Sequence, residues 1–224
     1  MLVPAWGGET MYVLYTSWNS YAMTAQVMLE ELGLDYELEW VTIHIPLEKK
    51  DKEFVGHNPN GQVPTLIGPE GTIYETGAIL VRLAETHPEA GLIPALDDPR
   101  RPLFWQWHFY LVSTFMPEEF IQDGPDRYFP DAERQTALKE ASMVRLRRIW
   151  RVLDDGIGDG PYFLGDQFTT VDISFALQAC WIDSHPPEGL EAYPNALRNL
   201  RTVLKRPSVG KVFKDHKVEF QADL

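Results

Sequence analysis

Short β-branched and aromatic runs alternate with amphipathic stretches in the N-terminal part of the chain. These runs predict strands at 12–16, 36–43, 63–67 and 72–74. A helix between the first two strands is predicted by apolar residues at helical spacing, namely Ala25, Met28, Leu29 and Leu32. A second helix is predicted near 48–55 and a third from Ile79 to just before Pro88. The predicted order is therefore β-α-β-α-β-β-α, with the first two strands parallel and the last two forming a hairpin.

The strand pattern fades in the C-terminal part of the chain, where amphipathic helices dominate. They are predicted at 103–120, 131–153, 170–184, 193–205 and 209–215. A proline-rich segment precedes them and is typical of a linker. The chain is predicted to contain an N-terminal extension at 1–10, an α/β domain at 11–87, a linker at 88–97 and an all-α domain at 98–224.

The composition limits the classes of function that are open to the chain. It has 224 residues, a formal net charge of −13 and one cysteine, Cys180. An acidic chain without a basic stripe argues against nucleic acid and anionic membranes as partners. One cysteine excludes an internal disulfide and a cysteine metal cluster, which suits a reducing compartment. The sequence shows no signal-peptide pattern and no membrane-spanning run, which predicts a cytoplasmic protein. The protein is also predicted to hold no metal.

The string Asn-Pro-Asn-Gly-Gln-Val-Pro-Thr-Leu at 58–66 is the most specific pattern in the chain. Proline cannot donate to a strand ladder, so Pro64 needs an edge position or a special geometry. A cis bond between Val63 and Pro64 would turn the main chain of Val63 outward, where an extended peptide ligand could pair with it. An ordinary loop-to-strand turn is the alternative, and spacing alone favours it.

The string Tyr-Glu-Thr-Gly-Ala-Ile at 74–79 lies where the fourth strand ends and a helix begins. Thr76 is placed to cap this helix, whose first N–H groups would form an anion site. Glu75 could accept a hydrogen bond from a ligand ammonium group, so the pair would suit a ligand end that carries both charges. A plain helix cap beside an acidic residue is the alternative, and it is favoured when this string is taken alone.

Together, the two strings resemble the N-terminal domain of the glutathione transferases, and the resemblance covers nearly the whole chain. Two further segments are similar to the family: Leu-Glu-Glu-Leu-Gly-Leu-Asp-Tyr at 29–36 and Phe-Thr-Thr-Val-Asp-Ile-Ser at 168–174. In the second of these, Thr169 and Asp172 predict a capping box. The resemblance implies a thioredoxin-like α/β domain followed by the all-α domain of that family.

The resemblance also implies a ligand and its contacts. Glutathione would be the co-substrate, with Val63 pairing with its cysteinyl part and Pro64 in the cis form. Glu75 and Thr76 would hold the γ-glutamyl end, and Gln62 would contact the glycine carboxylate. The other partner would be a small hydrophobic electrophile, and the chain would form a homodimer.

A hydroxyl near the first helix would have to stabilise the thiolate of glutathione, because a free thiol is mostly protonated at neutral pH. Tyr15 matches the tyrosine-using classes of the family when it is counted back from Gly33. Ser17 and Ser20 lie in the loop where the serine-using classes place theirs. Since no cysteine lies near residues 15–22, the chain resembles the bacterial-like, serine-using type rather than the cysteine-using type. We predict a serine, with Ser20 ahead of Ser17.

The predicted function is that of a glutathione transferase in detoxification, which promotes attack of the glutathione thiolate on an electrophile. The alternative is a non-catalytic glutathione-binding or regulatory protein with the same fold. A thioredoxin-like disulfide oxidoreductase is set aside, because that activity needs a cysteine near the first helix.

Overall fold

The computed structural model describes residues 11–181 and 185–218, and these form two compact units. Residues 11–90 and 207–218 make up the first unit, and the second lies within 91–206. The N-terminal extension predicted at 1–10 lies outside the described residues. The predicted linker at 88–97 stays a prediction, but the last helix, predicted as part of the all-α domain, belongs to the first unit.

The first unit is built on a four-stranded mixed sheet with the strand order β2-β1-β3-β4. The strands are β1 (Tyr12–Thr16), β2 (Tyr36–Trp40), β3 (Thr65–Gly68) and β4 (Gly71–Tyr74). β1 and β2 are parallel, whereas β3 is antiparallel to both β1 and β4. β2 ends earlier than predicted because it is an edge strand whose only neighbour is β1, and Trp40 lies opposite the last residue of β1.

Four helices of the described residues surround this sheet: α1 (Ala22–Glu31), α2 (Lys52–His57), α3 (Thr76–Thr86) and α9 (Pro207–Asp215). The helix predicted at 48–55 is divided into a 3₁₀ turn, Leu47–Lys49, and α2. The side chain of Asp51 causes the division, since it caps α2 by accepting hydrogen bonds from the N–H groups of Glu53 and Phe54 at 2.9 and 3.0 Å. The predicted β-α-β-α-β-β-α order of the thioredoxin-like domain is confirmed.

Helix α1 is buried along most of its length because it packs against β1, α3 and α9. Helix α9 is held there by polar contacts as well as by its apolar face. The ammonium group of Lys211 lies 2.7 Å from a carboxylate oxygen of Glu30, and the hydroxyl of Ser208 donates to the carboxylate of Glu31. An apolar stripe in a sequence does not identify the surface that it covers, which is why the sequence placed this helix in the wrong unit.

The regular elements of the second unit's described residues are helices, as predicted for an all-α domain. Its α-helices are α4 (Arg101–Tyr110), α5 (Met116–Asp123), α6 (Ala132–Ile157), α7 (Thr170–Gln178) and α8 (Pro194–Leu204). Two isolated β-bridges lie in the loop between α6 and α7. The predicted helix at 103–120 is interrupted by a π-helical turn, Leu111–Phe115. Pro117 lies at the start of α5 and lacks the N–H that would continue the regular ladder. No helix of the described residues combines the length and apolar character needed to cross a bilayer.

A capping box starts helix α7, as the sequence predicts. The main-chain N–H of Thr169 donates to Oδ2 of Asp172 at 2.9 Å, and Thr169 Oγ1 accepts from the N–H of Val171 at 3.3 Å. Asp172 also accepts hydrogen bonds from the N–H of Phe163 at 3.0 Å and from Asn199 Nδ2 at 2.8 Å. One fully buried carboxylate therefore joins the start of α7 to α8 and to the loop before α7.

Replacing Gly156 with alanine is expected to destabilise the second unit. A Cβ atom at this position would lie 2.1 Å from Cζ2 of Trp107, whose ring is 5% exposed and cannot move away freely. Overpacking costs about 1–3 kcal/mol, which exceeds the gain of about 1 kcal/mol from better helix propensity. Urea unfolding measures the change. Gly210→Ala in α9 is the matched control, and it should stabilise, because nothing lies within 4 Å of its added Cβ. Equal free energies of unfolding for the two variants would contradict the prediction.

Candidate functional site

Three segments that carry the predicted site residues meet at one end of the sheet in the first unit. β1 ends at Thr16, and Tyr15 lies opposite Thr65 at the start of the antiparallel strand β3. On the other side of β3, Tyr74 at the end of β4 also lies opposite Thr65. Residues paired in this way have Cα atoms about 4.5–5.5 Å apart. The loop after β1, the segment before β3 and the start of α3 therefore lie close together.

The peptide bond between Val63 and Pro64 is cis, as the resemblance implies. Pro64 is buried, Val63 is partly exposed and Gln62 is exposed. The turn before them is held by Asn58, whose Nδ2 donates to the Gln62 carbonyl at 2.9 Å and to Thr65 Oγ1 at 3.1 Å. In the described part of the chain, the N–H and C=O of Val63 have no hydrogen-bond partner. Both groups are available to an extended ligand.

Glu75 and Thr76 form the junction between β4 and α3. Glu75 has φ +75° and ψ 115°, a conformation that residues with a side chain rarely adopt. It occupies the N-cap position without a side-chain cap bond, and Thr76 is already the first helical residue. The predicted capping role of Thr76 is therefore wrong, because the backbone turn at Glu75, and not a hydroxyl, starts the helix.

The start of α3 is open to a charged ligand. Its first N–H groups have no side-chain cap, and the positive end of the helix dipole lies there. Neither the carboxylate of Glu75 nor the hydroxyl of Thr76 has a partner among the described residues. The junction thus offers an acceptor for an ammonium group beside donors for a carboxylate. This is the combination that the two ends of an amino-acid group require.

Lys50, which was not among the predicted site residues, contacts the loop that carries Gln62. Its side chain is buried, and its Nζ donates to the main-chain carbonyl of Gly61 at 2.5 Å, directly before Gln62. Burial lowers the pKa of this ammonium group, and it forms no ion pair with a carboxylate of the described residues. No sequence pattern points to Lys50, because its exposed neighbour Lys49 is chemically identical. Lys50 supplies a positive charge beneath the loop that presents Gln62.

The two serine candidates differ in what their hydroxyl groups contact. Ser20 donates to the main-chain carbonyl of Ser17 at 2.8 Å, so its proton is engaged in holding the loop. The hydroxyl of Ser17 has no hydrogen-bond partner in the described ranges. Both residues are 8% exposed, and helix α1 begins at Ala22. The arrangement therefore leaves Ser17 the freer of the two donors.

Tyr15 lies on the face of β1 that is turned towards helix α2. Its ring stacks on Phe54 with centroids 5.2 Å apart and lies 5.7 Å from the ring of His57. Burial raises the pKa of the Tyr15 phenol, and the carboxylates of Glu53, Glu39 and Asp51 raise it further. The phenol consequently remains protonated at neutral pH. Its aromatic packing identifies Tyr15 as part of the interface between the sheet and α2.

A cavity of ≈ 680 Å³ lies elsewhere in the first unit. It is lined by residues of α1, β2 and α9 and of the turn between α1 and β2, which include Glu30, Tyr36, Trp40 and Lys211. None of the predicted site residues lines this cavity. The candidate site is therefore the place where the three chain segments converge, and it is distinct from this cavity.

Two family models match the chain. The model for "Glutathione S-transferase, N-terminal domain" matches residues 10–85, and the model for "Glutathione S-transferase, C-terminal domain" matches 136–206. Together they cover about two thirds of the chain. All eight of the predicted catalytic and ligand-binding residues lie within the first match.

Individual proteins show the same similarity. Glutathione S-transferase 1 of Schizosaccharomyces pombe is 31% identical over 153 residues, which are 66% of this chain and 65% of the relative. Disulfide-bond oxidoreductase YfcG of Escherichia coli is 29% identical over 209 residues, or 86% and 89% of the two chains. The crystal structure of a glutathione transferase homologue from Sulfitobacter with bound glutathione has a TM-score of 0.81 at 25% identity and covers 93% of this chain and 99% of its own.

Proposed function

Because the chain belongs to the glutathione S-transferase superfamily, we propose that it binds glutathione and promotes attack of the glutathione thiolate on a small hydrophobic electrophile. The observation that carries the proposal is the convergence of three segments: the Ser17 loop, the free main chain of Val63 and the open junction at Glu75. These segments present a hydroxyl, a strand-like pairing edge and an amino-acid site to one tripeptide.

Local groups rather than the net charge attract glutathione, since the chain as a whole is acidic. The N–H and C=O of Val63 pair with the cysteinyl part of the tripeptide as a neighbouring strand would. The γ-glutamyl ammonium group lies against Glu75, and its carboxylate lies at the start of α3 beside Thr76. Gln62 contacts the glycine carboxylate, and the positive charge of Lys50 stabilises that end of the ligand.

The reaction then depends on stabilising the thiolate, because the thiolate and not the thiol is the nucleophile. We assign the donor role to Ser17, since the proton of Ser20 is engaged by the Ser17 carbonyl. A hydroxyl hydrogen bond and the nearby start of α1 both favour negative charge on the sulfur. Holding the electrophile beside this thiolate supplies the remaining acceleration. This assignment reverses the order of the two serines that the sequence suggested.

A disulfide exchange reaction is a second candidate function, and the similarity to YfcG favours it. The only protein thiol, Cys180, donates to the carbonyl of Ala176 at 3.1 Å, and burial raises its pKa well above the usual range, with Glu119 adding to the effect. Exchange would therefore use only the sulfur of the ligand. The glutathione thiolate would attack a disulfide, form a mixed disulfide and release the second thiolate.

Three assays on one preparation of the full chain distinguish the candidate functions. Retention on immobilised glutathione tests binding, turnover of an aryl halide tests conjugation, and reduction of hydroxyethyl disulfide tests exchange. Conjugation supports the main proposal, and exchange without conjugation supports the second candidate. Binding without either reaction supports the non-catalytic or regulatory alternative. A chain that is not retained by glutathione refutes all three.

Replacing Glu75 with glutamine is expected to raise the dissociation constant for glutathione about 10- to 100-fold, because a charged hydrogen bond contributes roughly 1.5–3 kcal/mol. Isothermal titration calorimetry measures this change. Glu37→Gln is the matched control, since Glu37 is an exposed residue of β2 at the opposite edge of the sheet from β4. A dissociation constant for the Glu75 variant equal to that of the control would remove Glu75 from the site.

We extend the proposal to the assembly and the location of the protein. The family resemblance leads us to propose a homodimer that acts in the cytoplasm in detoxification. Light scattering coupled to size-exclusion chromatography tests the dimer, and a mass of 25.7 kDa would identify a monomer.

A further inference from the structure

Trp18 lies in the loop between the two candidate serines, and its side chain is held by other parts of the first unit. The residue is 53% exposed, and its ring stacks on that of Trp40 in β2 with centroids 4.1 Å apart. The loop itself contains little regular structure and includes Asn19 at φ 45°. Contacts to Trp18 therefore contribute directly to the position of Ser17.

The turn that follows α9, residues 216–217, makes such contacts. His216 is 3% exposed, and its ring centroid lies 5.0 Å from that of Trp40 and 6.3 Å from that of Trp18. Lys217 has φ +53°, and its Nζ lies 5.1 Å from the centroid of the Trp18 ring. This is within the range of a cation–π interaction. Trp18 is thus held by β2 and by the turn after α9.

A hydrogen-bond network fixes the orientation of His216. Gln26 in α1 donates from Nε2 to Asp215 at 2.9 Å and to the Tyr36 hydroxyl at 3.0 Å, so its Oε1 is the remaining acceptor. His216 Nε2 lies 3.0 Å from that Oε1 and must be the protonated nitrogen. Burial lowers the pKa of His216 to about 4, so the ring is neutral near pH 7. The network joins the turn after α9 to α1, the helix that follows the loop containing Ser17 and Ser20.

We propose that the turn after α9 is a positioning element for the loop that carries Ser17, and that it acts through Trp18. The inference rests on the proposed function. His216 and Lys217 are positioning residues, since the contacts described link them to Trp18 and not to the glutathione-binding groups. Catalysis is sensitive to such an element because a displacement of about 1 Å at a reacting group can cost up to 100-fold in rate.

Two substitutions test the proposal in the full chain: His216→Ala, which removes the ring, and Lys217→Gly, which removes the cation at a positive φ that glycine accepts. We expect each to raise the pKa of the bound glutathione thiol. We also expect kcat to fall roughly tenfold for the His216 variant and less for the Lys217 variant. The KM for glutathione should stay within about twofold, since Val63 and Glu75 are untouched. Lys214→Ala, an exposed position on α9, is the matched control.

The pH profile of kcat and the absorbance of the bound thiolate give the pKa, and thermal unfolding shows that each variant is folded. Absence of turnover and of a lowered thiol pKa in the unmodified protein would refute the proposed function. If the unmodified protein is active, and the variants have the same thiol pKa and the same kcat as the unmodified protein, the positioning role is refuted. His216→Phe keeps a ring but loses the bond to Gln26, and it replaces the alanine variant if that variant does not fold.

Discussion

Replacing Ser17 with alanine is expected to lower kcat for conjugation about 100- to 1000-fold, the cost of removing one donor to a developing or stabilised anion. The hydroxyl of Ser17 has no partner in the described chain, whereas that of Ser20 donates to the Ser17 carbonyl, and Ser17 directly follows β1. Without it, the pKa of the bound thiol should rise towards its free value of about 8.5. Steady-state kinetics between pH 6 and 9 measures both changes.

Two matched variants decide whether the effect belongs to Ser17. Ser20→Ala removes the hydrogen bond to the Ser17 carbonyl, so it should loosen the loop and lower kcat by roughly tenfold or less. Tyr15→Phe keeps the ring against Phe54 and removes only the phenol, so we expect kcat to be unchanged. A larger loss of kcat in either of these variants than in Ser17→Ala would transfer the activating role to that residue.

Asp172→Ala is expected to be the most destabilising substitution in the second unit, by about 3–5 kcal/mol. The change leaves the N–H groups of Phe163 and Thr169 and the amide of Asn199 buried without their acceptor. Each unsatisfied buried donor costs about 1–3 kcal/mol. Urea unfolding followed by circular dichroism measures the loss. A free energy of unfolding within 1 kcal/mol of the unmodified protein would show that water replaces the carboxylate without cost.

The same carboxylate makes stability depend on pH. Burial raises the pKa of Asp172 from its usual 3.8 to about 6, although its hydrogen bonds act in the opposite direction. Between these pH values the folded protein binds a proton that the unfolded chain does not. The stabilisation of the folded state by this proton is therefore complete below pH 3.8 and is lost as the pH rises through 6. Asp172→Asn should remove this dependence. It should also destabilise less than Asp172→Ala, because the amide keeps one acceptor and the shape of the side chain.

The backbone of the site was predictable from the sequence because short motifs determine it. Val63-Pro64 and Glu75-Thr76 stand at the ends of predicted strands, and the hairpin register brings them together. The capping box of Thr169 and Asp172 is a local pattern of the same kind. In each case the residues that interact are close in sequence or are joined by one predictable turn.

Other features depended on contacts that are distant in sequence. The hydroxyl of Ser20 was predicted as the activator, yet its bond to the Ser17 carbonyl depends on a loop conformation that no motif specifies. Helix α9 packs on α1, which precedes it by more than 170 residues. Lys50 contacts Gly61 across a helix. Sequence patterns predict which residues are apolar or charged, but not which distant partners they meet.

The buried, protonated thiol of Cys180 has a consequence for the resistance of the protein to alkylation. A protein that handles electrophiles exposes its own nucleophiles to them, and thiolates are the first to be alkylated. Here the single thiol of the chain donates to the Ala176 carbonyl and is kept protonated by its buried surroundings. In the proposed reaction, the reactive sulfur belongs to a dissociable ligand. Each alkylation would then consume a replaceable tripeptide and leave the polypeptide intact.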